Sequence, residues 1–114
     1  MLYFMKELSG YRFMWLQVLF DLPVTTKAKR KEASRFRHFL LDLGFEMAQY
    51  SVYQRVCSGK KMVESHVRQI EKNLPEYGKV HILAFTDKQY ENMKTFRGHK
   101  KDEKRKNPDQ FTLF

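Results

Sequence analysis

The segment Met14-Trp15-Leu16-Gln17-Val18-Leu19-Phe20-Asp21-Leu22-Pro23 constrains the fold more than any other part of the chain. A mostly apolar run of this length reads as a central strand covered on both faces. It ends in a carboxylate, and the proline that follows cannot continue a sheet ladder. Thr25 or Thr26 then supplies an N-cap for an amphipathic helix over Lys27 to Leu43. An aspartate at the end of such a strand is held by the sheet rather than by a loose loop. It also stands beside a strongly cationic helix start, which is where a metal or a phosphate is handled.

On a helical wheel Ala33, Phe36, Phe39, Leu40 and Leu43 share one stripe, and Lys27, Arg30, Lys31, Arg35, Arg37 and His38 spread over the other side. Gly44 takes the C′ position. Phe45 to Val56 reads as two strands joined by a tight connection near Tyr50-Ser51. Ser58-Gly59 breaks the chain before a second helix from Lys60 to Leu74, with Val63, Val67, Ile70 and Leu74 at helical spacing; Pro75 and Gly78 end it. Val80 to Phe85 is a further buried strand. The order strand, helix, strand, strand, helix, strand predicts an α+β, ferredoxin-like βαββαβ domain with an antiparallel sheet and both helices on one face.

Such a sheet leaves its second face uncovered. Along the first strand Leu16, Val18 and Phe20 share one side, and Trp15, Gln17, Leu19 and Asp21 the other. The wholly apolar even set is assigned to the helices. A second copy of the chain then covers the opposite face, giving a homodimer through the open sheet. Thr86 to Met93 reads as a turn, Lys94-Thr95-Phe96 as a short edge strand, and Arg97 to Lys106 as a basic hairpin or loop. The apolar end, Gln110 to Phe114, reads as an extra strand that docks through Phe111, Leu113 and Phe114 on a partner or the second subunit. The chain divides into a tail over 1–10, a ferredoxin-like domain over 11–96, and a basic loop with a docking strand over 97–114.

The 114 residues support one domain with one modest core. Lys and Arg number 22 against 13 Asp and Glu, a formal charge of +9. With a sequence pI near 9.7, an anionic partner is expected. Nucleic acid fits better than a membrane, since no stretch approaches the roughly 20 apolar residues of a span. The single cysteine, Cys57, excludes an internal disulfide and a zinc knuckle, which fits a cytoplasmic protein. Met1 to Met5 meets Lys6 and Glu7 too early for a signal peptide.

Asp21 is the sharpest chemical candidate. Mg²⁺ accepts one or two carboxylates plus water and phosphate, and a twofold axis near Asp21 would supply the second carboxylate. The competing reading is an aspartate that caps the loop or the helix start at Pro23–Thr26. The basic side of the first helix, with Arg97 to Lys106, is the candidate nucleic-acid surface, set against an ordinary solvated face. Tyr50, Tyr53 and Phe96 are stacking candidates, with core or dimer packing the plainer alternative. His38, His66, His81 and His99 lack metal-ligand spacing within any element and read as structural. Hydrolase triads, Cys/His pairs, glycine-rich phosphate loops and the aromatic RNA-recognition signature are absent from the sequence.

Five motifs in order carry a family resemblance: Leu19-Phe20-Asp21-Leu22-Pro23-Val24, Arg35-Phe36-Arg37-His38-Phe39-Leu40, Gly44-Phe45, Gln49-Tyr50-Ser51-Val52-Tyr53 and Thr86-Asp87-Lys88-Gln89-Tyr90. From about Gly10 to Phe96 the chain resembles the small CRISPR-associated adaptation protein, the non-integrase partner in spacer acquisition, in its type II form. The resemblance implies a ferredoxin-like homodimer that bridges dimers of the CRISPR integrase and supports double-stranded DNA, with RNA a further substrate. It implies that Asp21 is the metal-binding and catalytic acidic residue of a Mg²⁺-dependent endonuclease. It also implies that Lys27, Lys29, Arg30, Arg97, Lys100 and Lys101 contact the nucleic-acid backbone. Two alternatives accompany it: a toxin-like metal-dependent ribonuclease of the same fold, and a DNA-binding scaffold without catalysis. Gln110 to Phe114 also resembles the short peptide by which bacterial proteins bind the replication sliding clamp.

Overall fold

The structure, a computed structural model, describes residues 13–98 and the backbone of Lys100 and Lys101. The N-terminal tail and the terminal Phe111, Leu113 and Phe114 lie outside the described residues. The first strand, β1, spans Met14–Asp21 and alternates as its sequence requires: Met14, Leu16, Val18 and Phe20 are buried, and Asp21 is exposed. The expectation that the even set faces the helices holds.

Helix α1 spans Lys27–Asp42. Thr26 is its N-cap, with an extended backbone (φ −126°, ψ 163°) and a hydroxyl that accepts from the Lys29 N–H at 3.1 Å. This bond satisfies one of the otherwise unpartnered amides of the first turn. Thr26→Ala is expected to cost about 1 kcal/mol in a denaturant titration, and Thr26→Ser to cost much less. The helix ends as Gly44 predicts. At φ +88° Gly44 adopts the left-handed conformation, and the Phe45 and Gly44 amides reach back to the Leu40 and Leu41 carbonyls, each at 3.0 Å. A Cβ on Gly44 would also press on the Arg55 guanidinium at 2.6 Å.

Strands β2 (Glu46–Gln49) and β3 (Val52–Cys57) form the expected hairpin, turning at Tyr50-Ser51 with Ser51 at φ +63°. Helix α2 spans Lys60–Glu71 and buries Val63, His66, Val67 and Ile70. It is shorter than predicted. Pro75 disfavours a helical Leu74, which lies beyond the helix and is half exposed. Strand β4, Lys79–Thr86, completes the sheet. The order is β2-β3-β1-β4, all antiparallel, with β1 central and both long helices over one face. This is the ferredoxin-like topology.

The core lies between that face and the helices. Phe36 is fully buried in it, edge-on to Phe20 (centroids 5.5 Å, 88°), in one cluster with Leu40, Tyr53, Val63, Val67 and Ile70.

Two elements depart from the expected reading. Thr86 to Met93 is not only a turn. It contains a short helix, α3 (Asp87–Glu91), nucleated by a reciprocal cap: the Gln89 amide donates to Thr86 Oγ1 at 3.0 Å, and the Thr86 amide donates to Gln89 Oε1 at 2.9 Å. The expected edge strand at Lys94–Phe96 does not join the main sheet. Instead β5 (Phe96–Arg97) pairs only with β6 (Lys100–Lys101), turning at Gly98 with φ +60°. Among the described residues, no helix is long and apolar enough to cross a membrane.

Candidate functional site

Asp21 closes β1 on the sheet face that the long helices leave open. The antiparallel register puts Lys79 directly across from it on β4, and His81 across from Leu19, so Lys79 and His81 share Asp21's face. All three charged or polar side chains are exposed. Among the described residues no hydrogen bond or ion pair ties the Asp21 carboxylate. The helix-start cap that the sequence left open for Asp21 is made by Thr26.

The other end of that face is not open. Six residues back along β1, about 20 Å at the rise of a strand, Trp15 stacks on Tyr90 of α3 (centroids 4.0 Å, 14°) and donates its indole N–H to Asp87 at 2.9 Å. Gln17 donates to Gln54 at 3.0 Å, and Gln54 donates to the Tyr90 hydroxyl at 3.2 Å. Gln54 is fully buried by this arrangement, so its amide bonds are obligatory. The expectation of a wholly uncovered second face is therefore corrected: α3 covers the Trp15 end. What stays open is the Asp21 end, with Leu19, His81 and the half-exposed Leu83.

The basic residues divide into two groups. Lys27, Lys29 and Arg30 form the first turn of α1, joined to Asp21 by the short link Leu22–Thr26. Arg30 folds back to donate to the Val24 carbonyl at 3.1 Å, and the Lys29 ammonium lies 5.6 Å from the Tyr77 ring centroid. Arg97, Lys100 and Lys101 belong to the separate β5–β6 hairpin. Of the stacking candidates, Tyr53 is core, while Tyr50 and Phe96 are exposed.

His66 is structural, as expected. A carbonyl oxygen only accepts, so the 2.8 Å contact to Met62 O fixes the proton on Nδ1, and Nε2 then accepts from Arg55 at 3.2 Å. Arg55 also donates to the Leu43 carbonyl. Burial pushes the Cys57 thiol up against the weaker opposing pull of Arg55, which keeps it protonated and inert as a nucleophile.

Sequence reasoning does not single out Lys79, His81 or the Trp15–Gln54–Tyr90 cluster as site residues. The signal for the first two is the period-two pattern of β4, which becomes informative only once its register against β1 is known.

Among the described residues no three His, Cys, Asp or Glu side chains gather into a metal cage. The donor set at Asp21 is one open carboxylate. That suits a hydrated Mg²⁺ shared with phosphate or with a second carboxylate, and does not suit a closed site.

A family model described as CRISPR associated protein Cas2 matches residues 4–93. The chain belongs to the Cas2 family. Among curated Cas2 relatives, the "CRISPR-associated endoribonuclease Cas2" of Paracidovorax avenae is 55% identical over 107 residues, covering 94% of this chain and 99% of the relative. The protein of the same name from Flavobacterium psychrophilum is 45% identical, covering 95% and 94%. A solved structure described as the crystal structure of Cas2 superposes with a TM-score of 0.54 at 21% identity, covering 80% of this chain and 92% of that one. The last likeness supports the ferredoxin-like fold alone. The family resemblance read from the five sequence motifs is borne out.

Proposed function

We propose that this Cas2-family chain is a spacer-acquisition subunit. It acts as a homodimer that bridges dimers of the CRISPR integrase and holds double-stranded DNA on its basic outer side. We further propose that it cuts phosphodiesters in DNA or RNA with Mg²⁺ at Asp21. The observation that carries this reading is where Asp21 stands: at the uncovered end of the open sheet face, untethered, with Lys79 opposite. A second copy stacked on that end brings two Asp21 carboxylates to one axis, completing a donor set that one chain only half supplies.

When bound there, Mg²⁺ supplies charge stabilisation and acidified water for phosphodiester hydrolysis. The chain's own part is to hold the carboxylates and bring phosphate charge to them. Lys79 flanks Asp21, and Lys27, Lys29 and Arg30 present cations from the adjoining helix turn. The name endoribonuclease carried by the relatives supports RNA among the substrates.

The purified full chain is expected to sediment as a dimer and to bind duplex DNA without sequence preference. The logarithm of its affinity should fall linearly with the logarithm of salt. Removing Lys27 and Arg30 together is expected to flatten that line by about one unit for each phosphate no longer neutralised. A monomer that ignores DNA and RNA overturns the reading.

One observation favours a scaffold role in the cell, with cutting dispensable: at the open end of the sheet face each chain offers the Asp21 carboxylate, and among the described residues no group of three His, Cys, Asp or Glu side chains gathers to hold a metal. On that reading Asp21→Ala leaves spacer acquisition intact, and deleting Gln110–Phe114 abolishes it. Sequencing the array after phage challenge distinguishes the two.

A further inference from the structure

Among the described residues nothing ties the Asp21 side chain, so what the fold fixes is its backbone, and with it the Cα–Cβ direction from which the carboxylate extends. That backbone is gripped from outside β1. Gly78, at φ +87°, lies against it so closely that a Cβ there would overlap the Asp21 carbonyl oxygen and press on Leu22 Cα and Cδ2 at 3.0 Å. An L-residue at Gly78 is thus barred twice, by conformation and by space.

Gly78 ends the turn over residues 72–78 that joins α2 to β4. This turn is fastened to α1. Arg35 Nη2 donates to the Asn73 carbonyl at 3.1 Å and to the Leu74 carbonyl at 3.3 Å. Glu32 Oε1 accepts from the Glu76 amide at 3.3 Å and pairs with the same Arg35 nitrogen at 2.9 Å. The Arg35 hydrogen bond holds the Glu32 carboxyl below its ordinary range, opposed by partial desolvation and assisted by the Arg35 charge and the Glu76 amide. Lys29 lies over Tyr77, the residue before Gly78.

We propose that Glu32, Arg35 and Gly78 are positioning residues for the metal at Asp21. The first two fasten the 72–78 turn to α1, and Gly78 carries that restraint onto the Asp21 backbone, so the point from which the carboxylate reaches a cation is fixed before the cation arrives. The inference rests on the reading of Asp21 as a metal ligand. It is the backbone counterpart of the outer groups that orient ligating side chains, whose loss commonly weakens a metal site about 10- to 100-fold.

The test is Mn²⁺ binding to the full-length chain, followed by electron paramagnetic resonance at neutral pH, with thermal melting in chelator alongside. The variants are Asp21→Ala, Gly78→Ala, Arg35→Ala and Arg35→Lys. Asp21→Ala is expected to lose saturable binding. Gly78→Ala and Arg35→Ala are expected to bind about tenfold more weakly. Arg35→Lys is expected to fall between Arg35→Ala and the parent, since one ammonium cannot reproduce the guanidinium's fork. Arg35 lies on the surface, so its variants keep the test open should Gly78→Ala fold poorly. Melting points that drop while Mn²⁺ affinity stays at the parent value overturn the positioning role and leave Asp21 as ligand. Parent-like binding by Asp21→Ala overturns the metal reading and this inference with it.

Discussion

Phe36→Ala is expected to destabilise the chain by about 3–5 kcal/mol, measured as a lowered urea midpoint with an unchanged slope. Phe36 is completely buried in the core between the sheet and the long helices and packs edge-on against Phe20 of β1. Truncation removes its transfer free energy and leaves a cavity that two helices and a sheet cannot collapse to fill. A domain of this size has about 5–15 kcal/mol in total, so the variant should be partly unfolded near body temperature. Phe36→Leu, which retains most of the volume, should cost a fraction as much. Near-native stability of Phe36→Ala would contradict the core arrangement described above.

Asp21→Ala is expected to have the opposite character. Its side chain is exposed and untethered, so stability should change by less than about 0.5 kcal/mol. Under the proposed function, metal-dependent cleavage should in contrast fall to background. Loss of the metal's several kcal/mol of transition-state stabilisation corresponds to about 10² to 10³ in rate. The measurement is cleavage of labelled RNA and duplex DNA by matched preparations with Mg²⁺ and with chelator. Activity that survives the substitution belongs to another residue or another protein.

Much of this arrangement is legible in the chain itself. The alternation over Met14–Asp21, the stripe Ala33-Phe36-Leu40, Gly44 after the first helix and the pause at Tyr50-Ser51 are local signals, and each corresponds to one local conformation. Asp21 stands out because a carboxylate between an apolar run and a proline is a local anomaly. The short helix α3 is different. Its capping pair, Thr86 and Gln89, is present in the sequence, but five residues are too few to show a helical period. Its docking depends on Trp15 meeting Tyr90, two residues distant in sequence whose proximity no local pattern encodes. Gln54 reads locally as one more strand residue; its burial follows from that same docking. The grip on the 72–78 turn is hidden for a similar reason. Glu32 and Arg35 look like ordinary solvated helix charges, and their hold on Asn73, Leu74 and Glu76 exists only after the tertiary fold forms.

The contact between α3 and the sheet bears on where the folding unit ends. A polypeptide cut after Thr86 would keep four strands and both long helices, yet it would leave the Trp15 indole without Asp87, leave Gln54 Nε2 without the Tyr90 hydroxyl while Gln17 stays on its oxygen, and bare the flat ring surface beneath Tyr90. The smallest autonomous version of this domain therefore extends past the final sheet strand to include Tyr90, and any shortened form that stops earlier inherits a sticky, polar-starved patch on one side of its sheet.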